Sequence, residues 1–278
     1  MGGTFTYQLY ACGKNGLPAK VALGADTYHL KKVLKHDFFA ATALYESRRG
    51  PSSEQQPPPL KIVLKLERRQ HFLGLPLAWL GRMLCRHEVS ILRQLSDLPG
   101  TPRFLCLYGQ TGFIYEYVEG ASLREQEGLP DLFFDRLFEL LRQIHRRNVA
   151  YLDMNKRSNI LLGSDGKPHL IDFQISLYVG DYCLPSRRLA EHLRQMLQWA
   201  DIYHLFKHKR RLSPRFLWPH EKALSCDLGL WIRGHRLLAN PLRHLRRAFL
   251  KFLDEKNLLP SVETTASCEQ TIPHDLQK

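Results

Sequence analysis

The sequence predicts an α+β fold in two lobes, a small antiparallel sheet followed by a mainly helical lobe. Three observations carry this. Segments alternating with a period of two come first. Two amphipathic segments with helical spacing, Leu84–Leu95 and Leu132–His145, then punctuate the chain. Beyond Leu184, Leu, Trp and Phe are interleaved with Arg and His in a mostly helical pattern. Strands gathered ahead of helices indicate α+β layering, not an alternating parallel sheet. A chain of 278 residues can bury a sizeable core in such lobes.

Taken in order, residues 1–25 contain glycine and little pattern, and read as a loose lead-in. The sheet lobe is expected over residues 26–118. It begins with Tyr28–Tyr45, two short strands around a turn-like middle. Residues 48–59, rich in Pro and Ser, should form an exposed loop. Leu60–Leu66 is a strand, with Ile62, Leu64 and Leu66 on one face and Lys61, Val63 and Lys65 on the other. His71–Leu80 is an apolar insert, suited to capping the small lobe or touching a membrane or partner. Phe113–Val118 is a further strand. The helical lobe is expected over residues 119–260, and residues 261–278, polar and aperiodic, should be a disordered tail.

Within the helical lobe lies an interruption, His145–Ser176. Asp153 follows the apolar step Val149-Ala150-Tyr151-Leu152. Asn159 stands six residues after it and opens the run Ile160-Leu161-Leu162. A turn, Gly163-Ser164-Asp165-Gly166, leads to His169-Leu170-Ile171 and then Asp172. Loop, strand, tight turn and strand would bring Asp153, Asn159 and Asp172 to one rim. There one carboxylate can accept the proton of an attacking hydroxyl. An amide oxygen and a second carboxylate suit Mg²⁺ on ATP phosphates.

These residues resemble those of the protein-kinase-like superfamily, in which H-R-D-x-x-x-x-N is followed by D-F-G. Tyr151-Leu152-Asp153 stands where His-Arg-Asp would, the step to the asparagine is one residue longer, and Gln174 replaces the last glycine. The stretch Tyr28–Ile175 fits this likeness, and the absence of A-P-E makes it closest to the compact atypical branch of RIO-like and bacterial lipopolysaccharide core kinases. The resemblance implies a two-lobed protein-kinase-like fold that binds ATP and Mg²⁺. It implies that Lys65, in Ile62-Val63-Leu64-Lys65, neutralises phosphates and pairs with Glu88, with Lys61 and Glu67 as competitors. Asp153 would handle the hydroxyl proton, and Lys156 or Arg157 would stabilise charge on the transferring group. Asn159 and Asp172 would hold the metal. Glu116-Tyr117-Val118 would be the hinge whose backbone meets adenine. The turn Lys35–Thr42 lacks glycine, so Ala40, Ala41 and Thr42 would line it against phosphate, with charge from Lys35 or His36. The acceptor would be a hydroxyl of a protein Ser/Thr or of a lipid-linked saccharide. The missing glycines and Gln174 also admit a second reading, a pseudokinase scaffold.

Bulk properties narrow the partners. A formal net charge of +13 favours anionic ones. The runs Lys207–Arg211 and Arg243–Arg247 suit solvated faces or contact with an anionic membrane surface. No nucleic-acid module is recognisable, which makes nucleic acid the least favoured partner. The six cysteines are far apart and form no C-x-x-C pair, so neither a disulfide framework nor a zinc site is expected. No run of about 18 apolar residues is present. Met1-Gly2-Gly3-Thr4-Phe5-Thr6 matches a loose myristoylation pattern. The expected compartment is the cytoplasm, including the inner face of the membrane. His145, Arg146 and Arg147, at the end of a helix, read as capping or solvated cations.

Overall fold

The computed structural model describes residues 10–13, 16–47, 60–72, 74–126, 128–180 and 186–226. The predicted loop at 48–59, the basic run at 243–247, the tail at 261–278 and the N-terminal lipidation pattern lie outside them.

A six-stranded antiparallel sheet forms the first part. Its strands are β1 (Lys20–Leu23), β2 (Asp26–His36), β3 (Ala40–Ser47), β4 (Lys61–Glu67), β5 (Phe104–Tyr108) and β6 (Gly112–Glu116). They lie side by side in the order β1-β2-β3-β4-β6-β5. The lead-in is therefore shorter than expected. Lys20–Leu23 pairs with β2 across a tight turn at Gly24, whose φ of +62° suits glycine. Ala11 is buried, and its carbonyl accepts the N–H groups of Arg69 and Gln70. A short segment with one apolar strand face carries too little period for recognition by pattern alone.

Helix α1 (Ala78–Gln94) crosses this sheet. It starts six residues before the predicted Leu84, so the C-terminal end of the apolar insert is helical. Gly81 allows the close approach: a Cβ there would lie 2.1 Å from the Arg68 carbonyl oxygen. Cys85, Val89 and Leu92 are buried, and they share a core with Phe113 of β6. Leu75 and Trp79 are exposed, so the insert does not simply cap the lobe.

The second part holds β7 (Gly120–Ser122), α2 (Phe133–Arg146), β8 (Val149–Ala150), β9 (Ile160–Gly163), β10 (Pro168–Leu170) and β11 (Leu177–Tyr178). Two helices close it, α3 (Arg187–Leu212) and α4 (Pro219–Cys226). Strands β10, β9 and β7 make a small sheet, and β11 pairs with β8. Phe134, Leu137, Leu141 and Ile144 repeat at helical spacing on α2 and are buried. Each contributes about 1.5–3 kcal/mol by leaving water. They join the core that also contains Cys85, Val89 and Phe113, so one apolar cluster ties the sheet to the helices. No described helix is long and apolar enough to cross a membrane.

Candidate active site

Strand β4 delivers Lys65. Its register places Lys65 opposite Thr42 of β3 and Phe113 of β6. The side chain is almost fully buried, at 5% exposure. An ammonium in that position requires partners. It finds Glu88 of α1 at 2.8 and 3.0 Å and Asp172, just beyond β10, at 3.0 Å. These three carboxylate contacts outweigh the burial that would lower Lys65, and they hold it well above the ordinary lysine value. Burial would raise Asp172, but the Lys65 ammonium reverses this and keeps the acid below its usual range. The competitor Lys61 instead pairs with Glu119 at 2.6 Å on the surface.

Strands β9 and β10 bring the catalytic-loop residues together. Asn159 donates from Nδ2 to Asp153 Oδ2 at 2.7 Å, and Lys156 donates to the same oxygen at 2.6 Å. Asp153 and Asn159 are each 6% exposed. Burial raises the Asp153 carboxyl above its ordinary value despite Lys156, and the nearby Asp172 charge adds to this. The Ile171 N–H bonds the Asn159 carbonyl at 3.0 Å, which fixes the approach to Asp172. Asp172 itself has φ +61°, an unfavourable left-handed conformation held by its bond to Lys65. Lys65, Glu88 and Asp172 are thus joined in one cluster, and the bonded pair Asp153 and Asn159 lies near enough for the Asp172 charge to act on Asp153. Arg157 is exposed and does not bond Asp153, which leaves Lys156 as the cation paired with that acid.

This arrangement decides the fold. The structure is protein-kinase-like: a curled antiparallel sheet, a crossing helix bearing the lysine's glutamate, and a helical part carrying the loop acids. Among solved structures, the chain is similar to the Rio2 kinase of Chaetomium thermophilum. One match is to its complex described as ADP/Mg²⁺-phosphoaspartate, with a TM-score of 0.47, 15% identity, and 75% of this chain and 61% of that one covered. A second Rio2 structure gives a TM-score of 0.48 and 14% identity, covering 67% of this chain and 59% of that one. The chain therefore spans about six tenths of the Rio2 chains it matches. No protein-family model and no curated protein matches it.

Protein-kinase-like geometry lets the remaining predictions be placed. Glu116 ends β6, and its side chain pairs with Arg103 at 2.8 Å. Tyr117 and Val118 follow outside the ladder. The Tyr117 N–H is taken by the Lys61 carbonyl. Among the described residues the Val118 backbone makes no hydrogen bond.

The phosphate-covering turn differs from expectation. Ala40 and Ala41 are buried within β3 and do not line a turn. Thr42 lies deeper still in β3, opposite Lys65, so it does not line the turn either. The turn between β2 and β3 is closed by Asp37, whose Oδ1 accepts the N–H groups of Phe39 and Ala40 at 2.9 and 3.0 Å. Lys35 pairs with the other oxygen at 3.0 Å. Burial lowers His36, so it adds little charge near neutral pH. Buried Arg68 braces the turn: it donates to the Phe38 carbonyl at 2.8 Å and lies 3.8 Å from the centre of the Phe38 ring.

Asp201 escaped the sequence reading, and His145 and Glu67 are placed otherwise than it expected. Asp201 of α3 is buried and accepts the backbone N–H groups of Tyr151 and Leu152 at 2.8 and 2.7 Å. It thereby holds Leu152 at φ +64°, just before Asp153. His145 joins Asp201 at 3.1 Å, so it is a largely buried partner and not a solvated cap. Glu67, the competitor to Glu88, lies 3.9 Å from that ammonium and is fully buried. Strand period explains this, since residues two apart share a face. Gln174 donates to Glu67 at 3.1 Å, so the departure from D-F-G ties the acidic turn to β4. Three acids now share one ammonium. Burial pushes Glu67 up to about 8, and burial raises Glu88 as well despite its bonds to Lys65.

The donor set fits Mg²⁺. One carboxylate and one amide oxygen suffice for an ion that takes its other ligands from water and phosphate. Among the described residues no cluster of three His, Cys, Asp or Glu is arranged to hold a metal alone. Asp172 is ionised, and the Asn159 amide places its nitrogen on Asp153 while its oxygen accepts the Ser158 hydroxyl at 3.3 Å, a contact that a bound metal would share or displace.

Proposed function

We propose that this protein is an ATP- and Mg²⁺-dependent phosphotransferase acting on a hydroxyl. The supporting observation is the Lys65 ammonium, shared between Glu88 and Asp172 at 3.0 Å or less, across the crevice from the bonded pair Asp153 and Asn159. Lys65 would bind the nucleotide phosphates and Val118 the adenine edge. Mg²⁺, held by Asn159 and Asp172, would neutralise charge on the β- and γ-phosphates. The acceptor oxygen would bond to the γ-phosphorus as the bond from that phosphorus to its bridging oxygen breaks. Its proton would pass to Asp153, whose raised affinity for protons suits a base, and ADP would leave. Lys156 would offset charge on the transferring group. The acceptor class, on this reading, is a protein Ser/Thr or a saccharide hydroxyl.

One observation favours a pseudokinase scaffold: the self-closed Asp37 turn, whose amides are already occupied. Mg-ATP decides between the two. Ligand at about 100 times its Kd stabilises by about 2.7 kcal/mol. That stabilisation should appear in the wild type and vanish in Asp172→Ala. Asp153→Ala should keep nucleotide binding and lose transfer of radiolabelled γ-phosphate. A wild type indifferent to saturating Mg-ATP establishes the scaffold instead.

A further inference from the structure

We propose that the outer face of helix α1, with the tight turn before it and the edge strand β5 beside it, docks on an anionic lipid membrane. Helical spacing sorts α1 into two faces. Gly81, Cys85, Glu88, Val89 and Leu92 are buried. Trp79, Arg82, Met83 and Arg86 stand at i, i+3, i+4 and i+7 and so share the opposite face, with Arg93 two turns beyond Arg86. Trp79 and Met83 are large apolar side chains, yet 55% and 52% exposed. Leu75, three residues before α1 begins, is 63% exposed. Its place is built. Phe72 and Leu75 exchange both backbone hydrogen bonds, at 2.9 and 3.0 Å, and Gly74 between them takes φ +78°. The Phe72 ring meets Phe38 edge-on, with centres 5.1 Å apart. A braced turn thus holds an apolar side chain in water, and such exposure marks an interaction surface.

Strand β5, at the sheet edge, extends this face. Its exposed Leu107 lines one groove with Arg82 and Arg86. Arg93 lies 5.0 Å from the centre of the Phe104 ring, at the start of the same strand. The charge here has one sign. From Leu75 to Gln94 the sole acid is Glu88, and it is buried on Lys65. Phe104–Gln110 contains no acid. Arg82 and Arg86 make no ion pair among the described residues. Charge complementarity therefore selects the occupant. At a bilayer interface Trp, Met and Leu leave water while the guanidinium groups stay level with anionic headgroups. An apolar protein groove would cover Trp79 and Met83 but leave the arginines without counter-charge. The chain's net charge of +13 draws it toward the same kind of surface. The bond from Lys65 to Glu88 is on the buried face of α1, so docking leaves it in place. The proposal and the phosphotransferase reading stand independently.

The test sediments the full chain with vesicles of phosphatidylcholine, alone or with added phosphatidylglycerol. The protein should sediment with the mixed vesicles only. Its tryptophan emission should then shift to the blue, and Trp79→Phe should abolish that shift. Trp79→Ala/Met83→Ala leaves every charge in place and should weaken binding at least about tenfold. Arg82→Ala/Arg86→Ala should weaken it by about fivefold for each cation lost. Met83→Ala, a single change at an exposed position, should act in the same direction and guards against misfolding of the double variants. If the Trp79 and Met83 variants bind as well as wild type, general basic charge holds the vesicles and the proposal is overturned. A blue shift that persists in Trp79→Phe overturns it too, as does equal sedimentation with both kinds of vesicle or with neither. Binding to polyglutamate without binding to vesicles makes the occupant an acidic protein and overturns the membrane proposal.

Discussion

The centre around Lys65 and the turn at Asp37 face the same crevice but are built in opposite ways. Lys65 is served by α1 through Glu88, by its own strand through Glu67, and by the segment after β10 through Asp172. The Glu88 and Asp172 contacts join different elements and are long-range in sequence. The Asp37 turn is satisfied locally, by a carboxylate that occupies amides two and three residues away. The first region keeps its charges available to a phosphate through tertiary packing. The second fills its own anion site. On the proposed phosphotransferase reading, the charged centre is kept while the loop that would cover the nucleotide is closed.

The largest expected effect comes from dismantling the first region. Lys65→Ala would leave Glu88 and Asp172 buried without their ammonium. Breaking one side of a buried pair costs about 3–5 kcal/mol. Urea denaturation should show a loss of that size. A loss below about 1 kcal/mol would mean that the carboxylates find other partners and that the centre is not the keystone described.

Next is Asp201→Ala. Two buried N–H groups would lose their acceptor, at a cost of about 3 kcal/mol in all. Leu152 would also lose the bond that holds its left-handed backbone. Because that bond positions Asp153, phosphoryl transfer should fall by about 100-fold in protein that remains folded. Stability loss with unchanged turnover would show that Asp201 only supports the fold.

Glu67→Gln sharpens the account of three acids on one cation. With a folded value of about 8, well above that of an unfolded glutamate, Glu67 binds its proton more tightly in the native state. Its contribution is complete below an unfolded value of about 4.5 and is lost as pH rises through about 8. Wild type should therefore lose stability relative to Glu67→Gln between those limits, by on the order of 3 kcal/mol at the alkaline end. Parallel melting curves for the two proteins across that range would show that Glu67 is ionised throughout.

What the sequence revealed follows this same division. Asp153, Asn159 and Asp172 were marked by the loop, strand, tight turn and strand around them, whereas Lys65 and Glu88 were singled out by the resemblance to the lysine strand and helix glutamate of protein kinases. Asp201 was not, because it serves backbone groups fifty residues away that leave no side-chain signature. It also lies on a 26-residue helix of mixed polar and apolar residues. The early strand β1 has four residues, too few for a period. The Asp37 turn was misread for a subtler reason. Small residues near a turn suggested room for phosphate, but the pattern cannot show that Asp37 reaches the amides first, or that Ala40 and Ala41 already belong to the strand.

That turn gives the smallest and most discriminating prediction. Asp37→Ala frees the Phe39 and Ala40 amides and removes a negative charge facing incoming phosphates. Losing the two local hydrogen bonds should cost about 1 kcal/mol of stability at this partly exposed site. Affinity for Mg-ATP should nevertheless rise, by up to about tenfold, since one charge-assisted contact is worth about 1.4 kcal/mol. Asp37→Asn separates the causes, because it keeps an acceptor for the amides but not the charge. If Asn alone restores affinity, repulsion is the barrier and Lys35, freed from its pair, turns to the phosphates. If only Ala does, the occupied amides are the barrier. If neither changes affinity, the turn stays clear of the nucleotide, and the contrast between a charged centre and a closed loop carries no weight for binding.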